Sequence, residues 1–215
     1  EIADRDWSSD VCSSDLAPTD KGIEPNANGT AGSPFKLTGL RVGAKYRLIA
    51  YPNPNVPGSV FNGLKASGSD AKRLSKVTQW GTNEWISLEE AFFACVNMDV
   101  TATDAPIFKA GISLSGMFSG CTSLVYNPSI NNWQTIGVTK MSAMFSGATA
   151  FNQPIGNWST DSVTDMGGMF TGATSFNQPI GSWNTGKVTD MGGMFGGATA
   201  PTRSEERRVG KECRS

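Results

Sequence analysis

The stretch WSTDSVTDMGGMF, Trp158 to Phe170, returns 25 residues later as WNTGKVTDMGGMF, Trp183 to Phe195. A third version, WQTIGVTKMSAMF, occupies Trp133 to Phe145, again 25 residues earlier. Self-similarity at a fixed period of this size marks a repeat architecture, in which each unit buries its apolar side only against its neighbours. More divergent copies precede these three. Met117-Phe118 lies 27 residues before Met144-Phe145, and Ala91-Phe92 lies 26 before that. Three residues after each such Phe stands a small residue: Cys95, Cys121, Ala148, Ala173 and Ala198. Three further on comes Met98, Leu124, Phe151 or Phe176.

The recurring apolar positions predict the core. They are Trp133, Trp158 and Trp183; Val138, Val163 and Val188; Met141, Met166 and Met191; and Met144, Met169 and Met194. Phe92, Phe118, Phe145, Phe170 and Phe195 form a further row, with Phe151, Phe176, Ile155 and Ile180 between. Within one copy, Val163, Met166, Met169, Phe170 and Ala173 recur at steps of three and four, the spacing of one helix face. Ser162 and Asp165 resemble a capping box at its start. The pair Gly167-Gly168 weakens such a helix by roughly 1 kcal/mol per glycine relative to alanine. Phe151 to Trp158 reads as a short extended segment, with Pro154 limiting its ladder bonds. The expected fold is therefore an α/β repeat solenoid, leucine-rich-repeat-like, with one short strand and one short helix per turn and about five turns over residues 79–202.

FNQPIGNW (Phe151 to Trp158), VTDMGGMF (Val163 to Phe170), SGATAF (Ser146 to Phe151) and FSGCTSL (Phe118 to Leu124) carry a resemblance to the BspA-like leucine-rich-repeat surface proteins. QWGTNEW (Gln79 to Trp85) is similar to the way such arrays begin. The resemblance implies bacterial surface proteins and lipoproteins engaged in adhesion. It says little about chemistry.

Both ends read as foreign. Arg203 to Ser215 back-translates through AGATCGGAAGAGC, and Asp6 to Leu16 through its reverse complement, GCTCTTCCGATCT. Both resemble sequencing-library adapters, so residues 1–16 and 203–215 are expected to be translated adapter without structure, and the array to be a truncated fragment. Residues 17–34, rich in Pro, Gly, Asn, Ser and Thr, read as a linker. Residues 35–78 read as a β-rich segment, with Leu40, Gly43 and Tyr46 spaced like the tyrosine corner of a sandwich domain.

Across 215 residues the chain holds 38% hydrophobic and 17% charged residues, with a net charge of −1. That suits a folded, nearly neutral protein and supplies no basic field for nucleic acid. No apolar run reaches the length of a membrane span. Histidine is absent, which removes the commonest general base and metal ligand together.

Candidate chemistry is sparse. The three repeated tryptophans suit a buried column better than an exposed sugar-binding stripe, since tryptophan is mostly buried. Asp165 and Asp190, with Asp161 beside them, suggest a calcium ladder, but Lys140 fills the preceding position and calcium wants 6–8 oxygens. Cys95 and Cys121 fall within disulfide range if successive turns stack, yet alanine fills that place in later copies. Asn28-Gly-Thr30 and Asn157-Trp-Ser159 match the glycosylation pattern. Asn152, Gln153, Asn177 and Gln178 recur at one point and suit either a hydrogen-bonding ladder or a partner-facing row. Catalytic, cofactor and metal residues are not expected. The reading is a non-catalytic, secreted or cell-surface module for protein–protein interaction or adhesion, with a protein or glycan ligand at a cell surface or matrix. Two alternatives remain: an appendage of a larger extracellular enzyme, and a stalk that spaces another domain from the cell.

Overall fold

The computed structural model describes residues 35–36, 64–65, 71–82, 84–125 and 127–198. The expected adapter segments, the linker and the Tyr46 corner lie outside them. The order of elements is β1 (Phe35–Lys36), β2 (Leu64–Lys65), β3 (Lys76–Val77), β4 (Glu84–Trp85), β5 (Asp99–Val100), β6 (Ile107–Phe108) and a 3₁₀ turn, η1 (Ile130–Asn132). All pairings are parallel: β1 with β2, β3 with β5, and β4 with β6. β3 lies within the segment read as a sandwich remnant, yet it pairs forward with β5, so the stacked region reaches back at least to Lys76.

The α/β solenoid expectation fails. Among the described residues between 84 and 198 there is no α-helix, and the strands there are two-residue pairs. Val163, Met166, Met169, Phe170 and Ala173 do lie on one side, but of a run of tight turns rather than a helix. In it Met169 N–H donates to Met166 O, Thr171 N–H to Gly168 O, and Ala173 N–H to Phe170 O, each three residues back. The reason is visible in the backbone. Positive φ returns every fourth residue, at Gly168 (+62°) and Gly172 (+68°), and likewise at Ala143 (+51°) and Gly147 (+68°). One left-handed residue per four interrupts a right-handed helix and resets the chain into the next turn. Ser162 and Asp165 accordingly cap no helix. Phe151 to Trp158 forms no ladder either.

These runs of turns, here called ribbons, stack on one another. The N–H groups of Leu114, Gly116, Phe118 and Gly120 donate to the carbonyls of Lys140, Ser142, Met144 and Ser146. The N–H groups of Met141, Ala143, Phe145 and Gly147 donate in turn to Asp165, Gly167, Met169 and Thr171. Those of Met166, Gly168, Phe170 and Gly172 donate to Asp190, Gly192, Met194 and Gly196. Alternate amides thus close turns within a coil, and the others tie each coil to the next. These ribbon amides find acceptors without helix or long strand.

Stacking aligns like side chains. The rings of Phe92, Phe118, Phe145, Phe170 and Phe195 form a column, with successive centroids 5.5, 5.8, 5.8 and 5.5 Å apart. Phe151 and Phe176 stack beside it at 5.8 Å. Trp133 and Trp158 stack at 5.8 Å with planes 7° apart. Val138, Met141, Met144, Val163, Met166, Met169, Phe151 and Ile155 are fully buried; Trp133, Trp158, Trp183, Phe176, Ile180 and Met194 are nearly so. Val188, Met191 and Phe195, in the last described coil, are only partly buried.

Candidate interaction surface

The coils leave outward a set of polar rows, each fixed by bonds between neighbouring coils. Asn152, Gln153, Asn177 and Gln178 make one such row. Asn177 N–H donates to Asn152 Oδ1 at 2.9 Å. Gln178 Nε2 donates to Asn152 O at 3.1 Å and to its Oδ1 at 3.0 Å. Gln153 Nε2 donates to Val125 O in the preceding coil. The side chains of Asn152, Gln153 and Gln178 are thus tied between coils, with Asn177 joining through its main-chain N–H, while Asn152 and Asn177 remain exposed. A laddered side chain has already lost its rotamer freedom, so a partner meeting it imposes little further ordering.

A second row joins the threonines of the Val-Thr pairs in successive coils. Thr164 N–H and Oγ1 both donate to Thr139 O, at 2.9 and 3.2 Å, and Thr189 does the same to Thr164 O, at 2.8 and 2.9 Å. Thr174 Oγ1 donates to Thr149 O at 3.3 Å and Ser182 Oγ to Gly156 O at 2.7 Å. The hydroxyl oxygens keep acceptor capacity outward. The signal was the recurring Val-Thr pair: a β-branched hydroxyl repeated at 25 residues reaches its own copy.

The other candidates go elsewhere. Trp133, Trp158 and Trp183 form no exposed stripe. Their indole N–H groups donate to Ser129 Oγ, Ile130 O and Ile155 O, which ties each ring into the interior. Asp165 Oδ1 and Asp190 Oδ1 accept from Gly167 and Gly192 N–H, at 2.9 and 2.7 Å, and so cap turns. Asp161 Oδ1 accepts from Asn184 Nδ2 at 2.7 Å. Among the described residues no group of three or more acidic or thiol side chains converges on a metal position. Cys95 and Cys121 are free thiols, both buried. Cys121 Sγ donates to Phe92 O at 3.1 Å. Burial pushes the Cys95 thiol from 9.0 up to about 12. Burial, reinforced by Cys95, raises Cys121 further. Asn157 is exposed, whereas Asn28 lies outside the described residues. No described helix is long and apolar enough to cross a membrane.

Residues 112–207 match the family described as "Mycoplasma protein of unknown function, DUF285". No curated protein and no solved structure matches the chain.

Proposed function

We propose that the chain is a surface-displayed or secreted interaction module that holds a protein or glycan ligand on its laddered polar rows. The observation that carries this reading is the Asn152–Asn177–Gln178 row, in which bonds between coils hold exposed Asn152 and Asn177 and half-buried Gln178 at a fixed spacing on a packed support. Amide and hydroxyl groups suit polar, uncharged partners, and the net charge of −1 adds no field to attract nucleic acid. The resemblance to BspA-like surface repeats supports an extracellular adhesive role. On this reading the buried thiols and turn-capping carboxylates serve packing, and the ligand meets the rows laterally.

The test is direct binding of the full chain to immobilised matrix proteins, host-cell surfaces and a glycan array. Saturable binding that falls at least tenfold in Asn177→Ala/Gln178→Ala is expected. Absence of saturable binding across all three would favour the stalk reading and overturn this one.

A further inference from the structure

Cys95 and Cys121, the two cysteines of the described residues, occupy one repeat position in adjacent coils. Phe92 N–H donates to Met117 O and Ala94 N–H to Ser119 O, a register that sets Phe92 beside Phe118 and Ala94 beside Gly120. The next residue along each coil is the cysteine. The coils are close there: a Cβ on Gly120 would lie 3.3 Å from Ala94 Cα. Main chains paired side by side run roughly 5 Å apart. That is inside the ~4.4–6.8 Å that a disulfide spans between Cα atoms. Both side chains are fully buried. Cys121 Sγ donates to Phe92 O at 3.1 Å, and the same carbonyl accepts Cys95 N–H at 3.1 Å. The Cys121 sulfur therefore reaches across the coil boundary into the turn that Cys95 closes. Filling the interior does not call for sulfur at this place, because Ala148 and Ala173 stand there in the next two coils and are equally buried.

We infer that Cys95 and Cys121 are a disulfide site, oxidised by a low-molecular-weight disulfide such as oxidised glutathione, which staples the Phe92 coil to the Phe118 coil. One cysteine thiolate attacks a sulfur of the small disulfide and expels its other half, which takes up the proton. The second cysteine thiolate attacks the protein sulfur of that mixed disulfide and expels the remaining half, again with its proton. Two protein thiols are oxidised to one S–S bond, and the small disulfide is reduced to two thiols. Burial raises both thiols, so thiolate is scarce in the closed stack and the bond forms while the coils close on one another. Once made, it joins chain positions 26 residues apart and restricts the unfolded state. The site stands without the lateral polar rows and asks nothing of their ligand.

The test uses the full chain with Cys12→Ser and Cys213→Ser, which leaves Cys95 and Cys121 as its thiols. Reduced, urea-unfolded protein is diluted into native buffer containing oxidised and reduced glutathione, then trapped with an alkylating reagent. The expected product is a monomer lighter by two hydrogens, unalkylated, whose peptide map joins the two cysteines. Its unfolding equilibrium constant in urea should be at least tenfold smaller than that of the reduced chain. Moving the pair one coil on, with Cys95→Ala and Ala148→Cys, should allow the same closure. Separating it by a coil, with Cys121→Ala and Ala148→Cys, should leave both thiols alkylated. These variants exchange only alanine and cysteine, which the position already holds in one coil or another, so the packing is kept. Full alkylation of the first protein, stable glutathione adducts, or an oxidised form no more stable than the reduced one overturns the inference. So does closure of the separated pair, or failure of the shifted pair to close.

Discussion

Gly168 and Ala143 occupy the same place in successive coils, with φ of +62° and +51°. Only the first is a residue that adopts this conformation freely, since a side chain there costs roughly 1–2 kcal/mol. Gly168→Ala should therefore destabilise the fold by about 1 kcal/mol, and Ala143→Gly should stabilise it by a similar or smaller amount. Urea denaturation midpoints read both, and equal signs for the two would refute the turn assignment. The thiols give a pH dependence. Cys95 is raised from 9.0 to about 12, so the native state keeps a proton that the unfolded chain releases above pH 9. The unfolded state then binds fewer protons, and stability falls as pH rises through that window. Below pH 9 the two states hold the proton alike and the contribution is flat. Cys95→Ala/Cys121→Ala should lose less stability between pH 9 and 12 than the parent. In the parent at pH 8, thiol reagents should label Cys95 and Cys121 only on unfolding, because the reactive thiolate is suppressed.

Each ribbon shows what was legible in the sequence and what was not. Burial of Trp158, Val163, Met166, Met169 and Phe170 followed from their recurrence, because a position repeated in every copy stacks on its own copies. Their local conformation did not follow. Steps of three and four describe a helix face equally well as consecutive three-residue turns, and the discriminating mark was glycine four residues apart: Gly116 and Gly120, Gly168 and Gly172, Gly193 and Gly197. The paired Gly167 and Gly168 hid that mark, since only the second has positive φ. Gly167 answers a different demand: a Cβ there would lie 3.2 Å from Asp190 Oδ2. The Asn and Gln row was legible as a recurrence, but its bonding direction depends on coil-to-coil register, which no single copy contains. Phe170 touches Phe145, Phe176 and Phe195, at centroid distances of 5.8, 4.0 and 5.5 Å. Phe170→Ala should cost about 3–5 kcal/mol in chemical denaturation, the range for a large aromatic truncated in a packed core. A loss under 1 kcal/mol would mean that the column is not what holds the coils together.

At the scale of the whole molecule the coils are interchangeable units, tied mainly to their neighbours. Removing residues 141–165, one full period, joins Lys140 to Met166 and keeps the main-chain register between coils across the cut. That shortened chain should keep a cooperative melt at a lower midpoint, as a sum of unit and neighbour terms requires. Removing residues 141–152 leaves the later coils out of phase and should abolish the transition; circular dichroism melts compare the two. The manner of tying has an electrical consequence. Phe92 donates to Met117, Phe118 to Met144, Phe145 to Met169 and Phe170 to Met194, so peptide groups queue head to tail through the coils. Three similar queues run alongside. These four point the same way, against an opposed row in which Thr139, Thr164 and Thr189 donate back to Ile112, Thr139 and Thr164, and each peptide contributes a dipole of about 3.5 D. Where antiparallel strands cancel, these add. The described stack therefore carries a net moment, positive toward its later coils, that grows by the excess of forward over backward rows with every coil added.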